Sequence, residues 1–146
     1  MLEHRETRVL PYTADQLFDL VLDIENYPKF LPWVRGMRIK ERAENRIVAD
    51  LVIGYKVYSE RFRSNVTYET SKHIHVDYVQ GPLQNLKNEW WFRETSEGIC
   101  EVEFFVQFSF KSKILQSLAT QFFDKALKKM INAFELEAKK RYGDKA

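Results

Sequence analysis

From Leu115 to Phe134 apolar residues return every three or four positions: Leu115, Leu118, Phe122, Ala126, Met130 and Phe134, flanked by Ala119, Phe123, Leu127 and Ile131. This period predicts one long helix from Ser112 to Arg141, with Lys128, Lys129, Lys139 and Lys140 on its other side. About thirty such residues span roughly 45 Å. No Pro or Gly interrupts them before Gly143, and Ser112 can cap the start. A helix of this length needs a wide apolar surface to lie against.

Most of the preceding chain has the two-residue period of strands. Cys100 to Phe110 alternates most cleanly, with Cys100, Val102, Phe104, Val106, Phe108 and Phe110 on one face and Glu101, Glu103, Phe105, Gln107 and Ser109 on the other. Further strands are predicted over Glu3 to Leu10, Arg46 to Ile53, Tyr55 to Tyr68, Lys72 to Gln80 and Leu86 to Glu94. Gly54 is expected as a turn or bulge, and Glu97-Gly98 as a hairpin turn. After the first strand, Thr13 and Gln16 form a capping-box pair ahead of Leu17, Phe18, Leu20, Val21 and Ile24, which predicts a short helix. In Tyr27-Pro28-Lys29-Phe30-Leu31-Pro32-Trp33 the two prolines leave room for a single helical turn at most. Antiparallel hairpins with one wet face fit the alternation, and no segment between strands is free to be a crossover helix. The fold class is therefore α+β: a curved antiparallel sheet of about six to seven strands around a long C-terminal helix, with two short helical segments after the first strand.

At 146 residues, 45% hydrophobic and 14% aromatic, the chain is read as a single domain over 1–146 with a sizeable core. A net charge of +2 gives no reason to expect DNA binding. The charge is uneven: from Lys111 onward nine Lys/Arg face four Asp/Glu. That basic stretch could meet anionic lipid or RNA, or simply complement the helix dipole at Lys139, Lys140 and Arg141. Cys100 is the only cysteine, so no intrachain disulfide forms and a reducing compartment is expected. No signal segment is recognisable at the N-terminus, and no run approaches the ~20 apolar residues of a membrane span.

Catalytic signatures are absent from the sequence: no nucleophile elbow, P-loop, dinucleotide fingerprint or zincin motif. His73, His75 and Asp77 share one face of a strand and could in principle ligate a metal, but the face opposite carries Ile74, Val76 and Tyr78, so these three are expected to point to water. Cys100 is expected to act as a small buried hydrophobe. Glu60 and Arg61 fall on opposite faces, and whichever faces inward needs a partner or a ligand to orient. The stronger signal is aromatic density, in Tyr27, Phe30, Trp33, Trp90, Phe92, Phe104, Phe108, Phe122 and Phe134. These rings either fill the core or line a pocket, depending on how far helix and sheet are held apart.

Several blocks, in order, cover nearly the whole chain: Tyr27-Pro28-x-Phe30-Leu31-Pro32-Trp33; Ala49-x-Leu51-x-Ile53-Gly54-Tyr55 followed by Glu60; Gly81-Pro82-Leu83-x-x-Leu86-x-Asn88-x-Trp90-x-Phe92; the alternating Cys100 to Phe110; and Met130-x-x-Ala133-Phe134-Glu135 ahead of Tyr142-Gly143. With these the chain resembles the START-like coenzyme-Q-binding family of helix-grip proteins. Val34 stands where that family often has Cys, and Tyr55 and Leu83 where it often has Phe.

The resemblance implies a hydrophobic cavity between sheet and helix, and a quinone or related polyprenyl lipid as bound cargo rather than as cofactor. It implies a non-catalytic chaperone or delivery role in respiration. The segment Pro28 to Trp33 and the Gly81-Pro82-Leu83 loop would flank the entrance. Tyr27, Phe30, Leu31, Trp33, Trp90, Phe104, Phe122 and Met130 would contact the ligand. The expected location is the cytoplasm, with peripheral contact at the inner face of an anionic membrane. Bacterial relatives are also described as toxins that block association of ribosomal subunits, which makes the ribosome the alternative partner. The wider superfamily contains polyketide cyclases, which leaves an enzyme as a third reading.

Overall fold

The computed structural model describes residues 1–55 and 57–143; Asp144 and Lys145, both counted above in the charge of the C-terminal stretch, lie outside them. Strand β1 (Leu2–Leu10) is followed by helix α1 (Ala14–Leu22), a 3₁₀ turn (Ile24–Asn26) and the single-turn helix α2 (Tyr27–Phe30). Six strands come next: β2 (Val34–Ala43), β3 (Arg46–Tyr55), β4 (Tyr58–Glu69), β5 (His73–Gln80), β6 (Leu83–Ser96) and β7 (Ile99–Phe110). Helix α3 (Lys113–Tyr142) ends the fold. All seven strands form one antiparallel sheet in the order β1-β7-β6-β5-β4-β3-β2.

Local chemistry sets the element boundaries. Thr13 Oγ1 accepts from the Gln16 amide at 3.1 Å while Gln16 Oε1 accepts from the Thr13 amide at 3.0 Å, closing the capping box of α1. Ser112 Oγ accepts from the Leu115 amide at 3.3 Å and starts α3. Gly98, with φ of 74°, makes the β6–β7 turn. The pair of prolines confines α2 to one turn, as expected.

Two expectations for the strands need correction. Gly54 is not a turn: it lies inside β3, pairs with Ser59, and its amide donates to Trp33 O at 2.8 Å. The chain reverses two residues later, so Tyr55 closes β3 opposite Tyr58 instead of opening the next strand. Strand β2 has no counterpart among the predicted strands. Its register slips twice, between Val34 and Gly36 and between Ile39 and Glu41, and each slip breaks the two-residue period that betrays a strand.

Helix α3 crosses the concave face, its backbone approaching α1, α2 and β7 most closely. The contiguous core joins α1, the 3₁₀ turn, the middle of the sheet and only the C-terminal half of α3, through Phe134 and Ala138 with Met130, Ala133 and Tyr142 packed against them. At the edge of the sheet Arg8 donates to Glu135 at 2.7 Å and ties β1 to the helix.

Candidate functional site

The concave face divides into a sealed half, where aromatic rings close on one another, and a hollow half, whose facing apolar side chains stay partly accessible. In the sealed half, Phe134 stands edge-on to three rings, with centroids 5.5 Å from Tyr27, 5.4 Å from Phe30 and 5.4 Å from Trp90. Trp90 packs in turn on Phe104 at 4.7 Å. Leu31 is buried beside this cluster and Trp33 packs against it. Tyr27 donates its hydroxyl to Val21 O, and burial pushes its phenol pKa upward. Six of the residues expected to touch a ligand are thus brought together, and they already occupy one another.

Toward the N-terminal end of α3 the packing changes. Val106 lies in the interior of the sheet, flanked on the concave face by Asn88 of β6 and His4 of β1, yet it is only half-buried. Leu86 and Phe108 of the same face are half-buried too, as are Leu115, Leu118, Ala119, Phe122 and Phe123 of the helix above. The walls meet where Phe123 of α3 stands edge-on to Phe108, centroids 5.6 Å apart; the other apolar side chains stay partly accessible, as they do where facing walls are not closely packed. Met130 stands at the boundary between the two halves, half-buried against the core. Beside the start of α3, Leu83 is buried and its amide donates to the Tyr78 hydroxyl oxygen at 3.0 Å, next to half-buried Gly81 and Pro82; Pro28 is exposed on α2, whose Tyr27 and Phe30 belong to the sealed half.

The hollow half carries polar groups, of which alternation alone did not single out His4. Asn88 donates from Nδ2 to Phe105 O at 2.8 Å and accepts from Trp90 Nε1 at 3.1 Å. His4 sits 2.9 Å from Glu6 through Nε2, with its ring tilted against Phe104 at 6.5 Å. Glu60, opposite Ile53, is the inward member of the Glu60–Arg61 pair. The available signal was register: pairing of β1 with β7 sends the even-numbered residues of β1 inward, and pairing cannot be read from a single strand.

Two surface concavities lie outside the interior. One of about 680 Å³ sits where β7 meets α3, lined by Phe110, Lys111, Lys113 and Gln116 among others. The second, about 300 Å³, opens beside Arg61, Phe62 and Gly81. Of the expected ligand residues only Gly81 lines either one. Both face solvent, and the half-exposed interior walls are the better indicator of where an apolar ligand fits.

On the convex face His75 lies 2.9 Å from Glu89 and 2.8 Å from Asp77, and His73 stacks on Trp91 at 5.4 Å. His73 Nε2 is 3.3 Å from Glu89 but not aligned for a hydrogen bond. Among the described residues no three His, Cys, Asp or Glu side chains are grouped to hold a metal ion. Cys100 is 0% exposed and burial raises its thiol pKa, which disfavours the thiolate. No described helix is long and apolar enough to cross a membrane.

A match to the family described as polyketide cyclase / dehydrase and lipid transport runs over residues 10–135. The chain belongs to this family. Among its relatives, the ribosome association toxin RatA of Rickettsia prowazekii is 39% identical over 143 residues, covering 95% of this chain and 97% of that protein. The mitochondrial coenzyme Q-binding protein COQ10 homolog B of Xenopus laevis is 32% identical over 146 residues, covering 97% of this chain and 60% of that protein. In three dimensions, the ZhuI aromatase/cyclase of a Streptomyces strain superposes with a TM-score of 0.83 over 96% of this chain and 94% of its own. At 13% identity that likeness establishes the fold alone. The START-like, helix-grip architecture expected of the family is the one observed.

Proposed function

We propose that the protein binds a hydrophobic ligand of the polyprenyl-quinone class between the sheet and the N-terminal half of α3, and carries it without chemical conversion. The observation behind this reading is the incomplete burial of Val106 at the centre of the concave face, beneath a helix whose own apolar residues Leu115, Leu118 and Phe122 are also incompletely buried. Burying isoprenoid carbon gains roughly 25 cal/mol per Å², enough for a few prenyl units to hold the ligand after association costs. Asn88 uses one of its two amide hydrogens on Phe105 O and keeps the second for a quinone carbonyl. The coenzyme Q-binding relative supports the quinone, and a delivery role toward membrane enzymes follows from cargo that water does not dissolve. Catalysis is no part of this reading: burial disfavours the Cys100 thiolate, and His4 is hydrogen-bonded to Glu6.

Mass spectrometry of lipids extracted from the purified protein tests this, with Val106→Trp as the variant. Quinone should be enriched in the wild type and lost in the variant, whose unfolding free energy should change by less than about 1 kcal/mol because the indole enters open space. No lipid in either protein, with a variant destabilised by more than about 2 kcal/mol, would mean the interior is filled.

A second reading, ribosome binding, is favoured by the 39% identity to a ribosome association toxin. The exposed Lys125, Lys128 and Lys129 on the outer side of α3 would then meet rRNA. Sucrose-gradient profiles should show fewer joined subunits at low salt, restored by Lys128→Glu with Lys129→Glu. Unaltered profiles with the wild-type protein would end this reading.

A further inference from the structure

We infer that the end of the sheet where β7 passes into α3 is a docking surface for an anionic lipid bilayer. The register gathers four separate segments there. Leu2 pairs with Phe108, which brings Met1 to the end of β7, and Asn85 Nδ2 lies 3.7 Å from Met1 Sδ. The β5–β6 turn is joined to the same place by the Lys111 amide, which donates to Pro82 O at 2.8 Å. Strand β5 stops at Gln80 opposite Arg63, so the β3–β4 hairpin runs on past it by roughly 16 Å at the rise of a strand. The first turn of α3 completes the group.

Each segment presents a large apolar side chain to solvent: Met1 is 70% exposed, Val57 89%, Ile114 63%, with Val79 and Tyr58 also exposed. A single exposed apolar residue is ordinary, whereas one from each of four segments at one end of a fold marks a surface made for contact. The charge around them selects the occupant. Arg61, Lys111 and Lys113 are all exposed at this end; of the neighbouring carboxylates, Asp50 is paired with Arg63 at 2.8 Å, Glu60 is turned inward, and exposed Glu3 accepts from Gln107 Nε2 at 2.7 Å. At the opposite end, exposed Val9 and Ile99 sit near Glu94, Glu97 and Glu101, of which Glu101 faces Arg93 at 3.7 Å and Glu94 accepts from the Ala14 amide; exposed Glu97 makes this end less suited to an anionic surface. Apolar side chains that enter the acyl boundary beside cations that meet headgroups are the pattern of peripheral membrane attachment.

This surface is distinct from the lysines near the C-terminus of α3, to which the sequence alone pointed. Arg141 of that end is held by Asp23 at 2.9 Å and by Glu137 at 2.8 Å. The docking end is also the end of α3 whose apolar residues are incompletely buried, so a bilayer seated there would lie beside the proposed cargo site.

Co-sedimentation with vesicles of phosphatidylcholine containing ~30% phosphatidylserine tests the surface, and it reads binding whether or not the protein carries a ligand. Wild-type protein should sediment, and Val57→Asp with Ile114→Asp should weaken binding by roughly tenfold or more. Lys111→Glu with Lys113→Glu should do the same, while Lys139→Glu with Lys140→Glu should change binding less than about twofold. Vesicles of phosphatidylcholine alone should bind poorly. Failure of the wild type to sediment, equal binding by the Val57/Ile114 variant, or loss confined to the Lys139/Lys140 variant would each overturn the proposal. Both aspartates occupy exposed positions, so folding is retained and is checked by circular dichroism.

Discussion

Phe134→Ala is expected to cost about 3–5 kcal/mol of folding stability, measured as the shift of the guanidinium unfolding midpoint at constant slope. The ring is 9% exposed and serves as the common neighbour of Tyr27, Phe30 and Trp90. Those partners belong to α2 and β6, elements braced by other contacts, so the space left by the ring does not collapse. Phe122→Ala removes the same side chain from the same helix three turns earlier, where it is half-buried, and should cost less than half as much. Equal losses at the two positions would mean that the helix is packed alike along its length, and the division into a sealed and a hollow half would be wrong.

Gly81→Val should be the other severe substitution, destabilising by about 3 kcal/mol or more in the same assay. Two costs combine. Its φ of 147° lies in a region L side chains rarely adopt, and a Cβ there would overlap Phe62 Cβ and stand 2.9 Å from Phe62 Cα and 3.0 Å from Arg61 O. Phe62 is buried and Arg61 O belongs to backbone, so neither can give way cheaply. Gly98→Val shares the positive φ but has nothing near its Cβ, and should cost only the backbone share. A loss below about 1 kcal/mol at Gly81 would show that the β5–β6 turn rearranges freely.

Much of the fold was legible where one local rule held without competition. The capping pair Thr13 and Gln16, the cap at Ser112, the turn at Gly98 and the unbroken alternation from Cys100 to Phe110 each depend on residues a few positions apart. Strand β2 was not legible, because two register slips and an edge position rich in Arg, Lys and Glu erase its period. The β3–β4 reversal was misplaced because Gly54 has the composition of a turn, whereas its role is close approach: a Cβ there would run into the Arg35 side chain.

The candidate site divides in the same way. The aromatic residues were visible as a set, and the resemblance to a quinone-binding family gave them a role. Their partition was not visible. Tyr27, Phe30, Trp90 and Phe104 join Phe134 in a closed cluster, while toward the start of α3 the walls meet through Phe108 and Phe123 and leave Val106, Leu115 and Leu118 only partly buried. His4 and Asn88 became neighbours of Val106 only through the pairing of β1 and β6 with β7.

The sequence by itself determined the antiparallel sheet, the long helix, the apolar side of the cleanly alternating strands such as Cys100 to Phe110, and the family. Periodicity, capping and turn chemistry are short-range, and each is written in neighbouring residues. Only the tertiary structure decided where helix and sheet touch, which polar groups face the hollow, and that the exposed apolar residues of four distant segments share one end with Lys111 and Lys113. Those facts depend on strand register and on the separation of packed layers, which are set by contacts between residues remote in the chain.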